Sequence, residues 1–125
     1  MGLILYCNKN KVIGARVVKD LQTSNPDHEY LSVNSVNDAV NAMFSRTDLE
    51  MIITARNLKD GEFAWEIADE VIDISTSYSG PVIYADRTIC PRQKVAKFTQ
   101  IFHHEDHELL MVQLSEYIEK EDWKD

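Results

Sequence analysis

Along this chain short unbroken apolar runs alternate with stretches in which apolar residues recur every three or four positions, a pattern that predicts strands and helices in turn. Leu3 to Cys7 is the first run, a short buried-type strand, and the polar loop Asn8-Lys9-Asn10 follows it. From Lys11 the spacing changes. Ile13, Val17 and Leu21, with Gly14 and Val18 beside them, mark an amphipathic helix that ends near Ser24-Asn25-Pro26. Tyr30, Leu31 and Val33 form a second, weaker strand. Ser35, with Asp38 three residues on, is close to a capping box for a helix lined by Val36, Val40, Met43 and Phe44. The run Met51-Ile52-Ile53 is too short for a free-standing helix and reads as a strand covered on both faces. It stops at Thr54, a polar connection runs from Ala55 to Lys59, and Asp60-Gly61 is a turn signal. Glu62 then opens a third helix marked by Ala64, Ile67, Ala68, Val71 and Ile72, which runs out in the turn-forming cluster Ser75 to Gly80.

Pro81 to Ala85 is the fourth strand and stops at Asp86. Pro91 suits the first turn of a helix continued by Val95, Phe98 and Ile101, but a fifth strand must also fit before the last helix, and Thr99 to Phe102 suits it best. Asp106 or His107 begins that helix, with Leu110, Leu114, Tyr117 and Ile118 as its buried stripe and 119–125 as a polar tail. Strand and helix thus alternate five times, with no repeat, low-complexity tract or linker. Strict alternation with short loops implies a parallel sheet with helices on both faces. Five units in 125 residues fit a single flavodoxin-like (βα)5 domain, a three-layer sandwich with strand order 2-1-3-4-5, better than a barrel. In such a sheet ligands bind at the carboxyl ends of the strands, so the residues that stand there decide the chemistry.

Thirteen basic against twenty-one acidic side chains give a net charge of -8. That charge repels phosphate backbones and anionic lipid, so neither nucleic acid nor membrane is expected as a partner. Cys7 and Cys90 lie far apart with no CxxC or Cys/His spacing, and read as reduced thiols of a cytoplasmic protein. The start MGLILYC has no basic lead or small-residue cleavage site, and no apolar stretch is long enough for a membrane span.

Strand lengths, the Asp60-Gly61 turn before the third helix and the PVI start of the fourth strand make nearly the whole chain resemble the receiver domain of bacterial two-component response regulators. The resemblance implies a phosphoacceptor aspartate ending the third strand, an acidic pair after the first, Thr or Ser after the fourth and lysine after the fifth. The acids of that family hold a magnesium ion that neutralises the incoming phosphoryl group. Laid on the pattern, each part is changed. The acidic pair becomes Asn8-Lys9, the phosphoacceptor position falls on Thr54, the hydroxyl position becomes Asp86, and the lysine position falls at or beside Phe102 to His104. A neutral amide and a cation do not hold a hard divalent ion, so no magnesium and no cofactor are expected. The resemblance therefore implies a degenerate, phosphorylation-independent receiver with the altered pocket Asn8, Lys9, Thr54, Asp86 and His103. It would be a non-enzymatic signalling or adaptor module working through protein partners. The face made by the fourth helix, fifth strand and fifth helix, here Lys94, Phe98, Met111 and Tyr117, would serve as a partner or homodimer surface; ordinary core is the competing assignment for these residues.

Two further constellations carry chemistry. His103 and His107, four apart with His104, Glu105 and Asp106 between, would bind zinc if they shared one helical turn, although no fourth ligand is evident; otherwise Asp106 is simply a helix cap. Imidazoles on the strand-end rim would also make the domain sensitive to mild acid. The stretch ILYCNKN looks somewhat like the start of sugar-phosphotransferase IIB proteins, in which a cysteine after the first strand carries a phosphoryl group. Cys7 would then be a nucleophile with Lys9 and Lys11 lowering its pKa, although the loop lacks the small and hydroxyl residues of such a cradle and a buried structural thiol is the alternative. Glycine-rich nucleotide loops and the GxSxG of serine hydrolases are absent. Trp65, at the start of the third helix, is placed to face a partner, and Trp123 to pack back on the body or engage one; burial is the default for both.

Overall fold

The fold is described from a computed structural model that covers residues 2–73 and 78–124. The cluster expected over Ser75 to Gly80 is therefore seen only from residue 78 on, and 75–77 lie outside the described residues. Five strands, β1 (Leu3–Cys7), β2 (Glu29–Val33), β3 (Leu49–Thr54), β4 (Val82–Asp86) and β5 (Gln100–His103), form one parallel sheet in the order β2-β1-β3-β4-β5. This is the flavodoxin-like architecture the alternation implied. Helices α1 (Lys11–Ser24) and α4 (His107–Lys120) cover one face, and α2 (Val36–Ser45) and α3 (Ala64–Asp73) cover the other.

Period-two alternation sorts the strand residues between two apolar layers. Leu3, Leu5 and Cys7 of β1 pack toward α2 and α3, while Ile4 and Tyr6 pack toward α1 and α4. In β3 the alternation slips. Leu49 and Ile52 share a layer although they lie three positions apart, because the pairing steps from Leu3–Leu49 to Ile4–Met51 and leaves Glu50 unpaired as a bulge. The bulge turns the Glu50 carboxylate onto the buried His28, Oε1 to Nδ1 at 2.5 Å.

Helix starts follow the sequence closely. Asn10 caps α1 by accepting the amides of Val12 and Ile13 at 3.0 and 3.1 Å, Ser35 caps α2 by accepting that of Asp38, and Asp106 caps α4 by accepting that of Glu108. Asp60 and Gly61 both have left-handed φ, as the turn signal required.

Four expectations need correction. The helix expected after Pro91 is a 3-10 turn, Arg92–Lys97, because Phe98 is already buried edge-to-face on Tyr84 and Thr99 already hydrogen-bonds Val82, which leaves too few residues for an α-helix. Ile101, assigned to that helix, lies in β5, whose observed span is shifted one residue from Thr99–Phe102. Of the expected helix stripes, Ile13, Phe44 and Ile72 are exposed, while Val17, Leu21, Met43 and Ile67 are buried beside the small residues Gly14, Ala39, Ala42 and Ala68. A helix reaches a sheet most closely where its side chains are shortest. The segment expected as a polar tail begins inside α4 and, after the left-handed cap at Glu121, ends in the turn Asp122–Lys124. There Trp123 packs on His28 and its Nε1 donates to the carbonyl of Tyr117 at 3.1 Å. Residue 125 lies outside the described residues.

Helix α1 approaches β2 at Gly14, where a Cβ would lie 2.3 Å from Ser32 Oγ. Gly14→Ala is expected to rotate the Ser32 hydroxyl aside and, because alanine is the better helix former, to raise stability by at most about 1 kcal/mol in urea unfolding. In a Ser32→Ala background, which removes that oxygen, the gain should be at least as large.

Candidate functional site

Sheet winding reverses between β1 and β3. The chain leaves β1 over one face through α1 and leaves β3 over the other through α3, so a crevice forms at the carboxyl ends of these neighbours. Backbone hydrogen bonds stitch its floor. The amide of Ala55 donates to the carbonyl of Cys7 at 2.8 Å and that of Lys9 to the carbonyl of Asn57 at 2.9 Å.

The altered pocket inferred from the sequence does gather on this rim. Asn8 follows β1, Thr54 ends β3, and Asp86 ends β4 and pairs in register with His103 of β5. Their polar atoms are largely committed to neighbours. Asn8 Nδ2 donates to the hydroxyl of Tyr6 at 2.9 Å, and its Oδ1 accepts the amide of Asn10 at 2.9 Å. Thr54 is fully buried and its hydroxyl donates to the carbonyl of Ala55 at 2.9 Å. Both oxygens of Asp86 accept backbone amides, Oδ1 from Arg56 at 3.0 Å and Oδ2 from Thr88 at 2.7 Å. Lys9 and His103 are exposed.

Burial, and to a smaller degree the nearby Asp86 charge, push the Tyr6 phenol up to about 12 against the opposing hydrogen bond from Asn8. Tyr6 therefore stays a neutral hydroxyl in this crevice. Together with Arg56, whose Nε is buried without a partner, it belongs to the rim yet escaped the sequence reading. The only signal for Tyr6 was a hydroxyl in the last turn of pleat before a strand end.

On the α1/α4 side of the rim a cavity of about 560 Å³ opens between the two helices, lined among others by Tyr6, Asn8, Arg16, Arg87 and His107. His103 ends a strand and His107 begins α4, so they do not share the helical turn that zinc binding required. Between them His104 Nδ1 accepts the amide of Asp106 at 3.0 Å, and Asp106 acts as the helix cap. Among the described residues, no three His, Cys, Asp or Glu side chains gather closely enough to hold a metal ion.

Cys7 is not in the loop after β1 but inside the strand, fully buried toward α2 and α3, and burial pushes its thiol far above the ordinary range. That removes the thiolate the phosphocarrier alternative needs. Of the expected partner-facing residues, Phe98 and Met111 are buried in the two layers and belong to the core. Tyr117 is half-buried, edge-to-face on Phe102, and Lys94 sits 5.6 Å over the ring of Trp65, which itself stacks on Phe63. Among the described residues no helix is long and apolar enough to cross a membrane.

No family model and no curated protein matches the sequence. Solved structures do. The response regulator protein TrrA from Thermotoga maritima, in complex with Mg²⁺-BeF, superposes with a TM-score of 0.77 at 16% identity, over 96% of this chain and 98% of that one. A CheY-like response regulator receiver domain from Methylobacillus flagellatus gives 0.76 at 11% identity, over 96% and 98%. The chemotaxis response regulator CheY4 of Vibrio cholerae gives 0.75 at 16%, over 94% and 98%. At these identities the likeness is one of fold, and it spans the whole receiver domain.

Asp86→Ala should lower stability by about 1–3 kcal/mol in chemical unfolding, since two backbone amides lose a charged acceptor, and Asp86→Asn should lose less because one oxygen still accepts. Cys7 is expected to resist a thiol reagent in the native protein and to react once denaturant unfolds it.

Proposed function

We propose that this chain is a receiver-like signalling or adaptor module that acts through protein contacts and without an aspartyl-phosphate cycle. One observation carries it. The rim that would have to grip a divalent cation pairs Asn8 and Lys9 with a buried threonine, and the carboxylate that ends β4, Asp86, accepts a backbone amide at each oxygen. A hard cation needs several free carboxylate or carbonyl oxygens, and phosphoryl transfer to aspartate needs that cation to neutralise charge. Thr54 supplies no acyl-phosphate nucleophile, and its hydroxyl is turned to the Ala55 carbonyl. On this reading the domain needs no cofactor, is no enzyme, and uses shape.

The partner surface proposed is the open sheet edge at β5. An edge strand leaves backbone donors and acceptors unpaired along one side. Lys94 flanks it on the α3 side, and Tyr117 flanks it on the α4 side. The Phe63–Trp65 stack beneath Lys94 adds the aromatic area that protein contacts favour. The net charge of -8 favours a protein over nucleic acid or anionic lipid, and two buried unpaired thiols suit a cytoplasmic setting.

Incubation with acetyl phosphate and magnesium, read by intact mass, is expected to leave the protein unmodified. Thr54→Asp should not restore labelling, because Asn8 and Lys9 still fail to hold the ion. Label on an aspartate of the native chain would overturn the proposal, and label on Thr54→Asp would overturn the account of the first loop.

A further inference from the structure

Helices α1 and α4 lie side by side on one face of the sheet, over the same apolar layer. Four of the nine large apolar side chains exposed among the described residues belong to this pair: Val12 and Ile13 on α1, Leu109 and Val112 on α4. Their buried stripes already satisfy the sheet, with Gly14, Val17 and Leu21 on one helix and Leu110, Met111, Leu114 and Ile118 on the other. The exposed four are therefore surplus to the core, and all of them lie on the two helices that cover one face of the sheet.

The charges around them are separated by helix. Arg16 and Lys19 are exposed on α1, while Glu108, Glu116 and Glu119 are exposed on α4; Lys11 lies on the opposite flank of α1, beside Ser32 and Asp38. Among the described residues none of Arg16, Lys19, Glu108, Glu116 and Glu119 makes an ion pair within its own chain. The segregation has one exception on each side, Asp20 on α1 and Lys120 at the end of α4. The face thus has a basic half and an acidic half with an apolar centre, on a protein whose other surfaces share an excess of negative charge.

Both helices follow strands of one parallel sheet, so they run in the same direction. The residues that line the groove between them set the level of one against the other. Ile13 and Arg16 stand opposite Glu108, and Asp20 stands opposite Val112 and Glu116. A two-fold axis laid along that groove places α1 of one copy over α4 of the other at the same level, and does so twice. Arg16 and Lys19 of each copy then lie over the acidic α4 of the other, with Asp20 over Glu116 the one like-charge pair, and Val12 and Ile13 lie over the helix that carries Leu109 and Val112. A patch of one sign repels its own copy; a patch split in this way is self-complementary, which is what an isologous dimer requires.

We infer that the α1/α4 face is the interface for a second copy of this chain. The interface is rich in charge, so it forms a reversible dimer that salt weakens by screening the paired halves. It leaves the β5 edge, on the far side of α4, open for another partner. The inference does not depend on how the strand-end rim behaves with phosphoryl donors.

Sedimentation equilibrium of the whole chain at low salt, across a micromolar to high-micromolar concentration series, tests it. The native protein should approach twice the mass of one chain, and added salt should lower the association constant. Arg16→Glu with Lys19→Glu in one variant, and Glu116→Lys with Glu119→Lys in another, should each lower that constant by about tenfold or more, against about 1.4 kcal/mol per tenfold. An equimolar mixture of the two variants should restore association, because each then meets the opposite sign. Circular dichroism establishes that both fold. A monomer throughout the series, variants that associate as well as the native chain, or a mixture that stays monomeric would overturn the inference. None of these results bears on labelling by acetyl phosphate, so the interface and the proposed function stand or fall separately.

Discussion

Strand β1 is paired on both sides, with β2 and with β3, and its five side chains are buried alternately in the two apolar layers. Everything else is placed by that double burial. A central strand covered above and below forces the crossovers to opposite faces, and the reversal of winding between β1 and β3 opens the crevice where Asn8, Thr54 and Asp86 meet. The Ala55 amide bound to the Cys7 carbonyl ties the two strand ends together at that point. Burying Thr54 completely has the same origin. It ends a strand that the sheet covers on both faces, so its hydroxyl must find a partner inside the protein, and the adjacent carbonyl is the one in reach.

Asp86 shows the same dependence. It serves the backbone of the loops after β3 and β4, holding the amides of Arg56 and Thr88. A carboxylate so used ties the two loops together at the crevice. Similarly Asn8 closes the first loop on itself through Asn10 and braces Tyr6. Asn8, Thr54 and Asp86 are thus satisfied within the crevice, and the buried Nε of Arg56 is the polar atom beside them without a partner.

The bulge at Glu50 shows how a local irregularity reaches a distant element. By leaving Glu50 out of the pairing with β1, it sets a carboxylate against His28, and His28 in turn supports Trp123 after the end of α4. No single segment announces this arrangement. It joins the start of β2, the start of β3 and the last turn of the chain, which lie far apart in sequence and meet only at the amino-terminal edge of the sheet.

Elements, strand order and two helix caps were legible in the sequence because each depends on local pattern: the apolar runs, the three-and-four spacing, Ser35 and Asp106 before helices, and the left-handed Asp60-Gly61 turn. That residues 8, 9, 54 and 86 stand at strand ends was legible for the same reason. Contacts set by residues distant in the chain were not. Whether Pro91 to Phe98 would be a helix depended on Phe98 reaching Tyr84, and whether Ile13, Phe44 and Ile72 would be buried depended on how closely each helix sits over the sheet. That Cys7 points inward, that Phe98 and Met111 are core, and that Asp86 has both oxygens occupied were likewise decided by tertiary packing. Periodicity says which face of an element is apolar, but only the assembled layers say how deep that face lies and which polar atoms it leaves free.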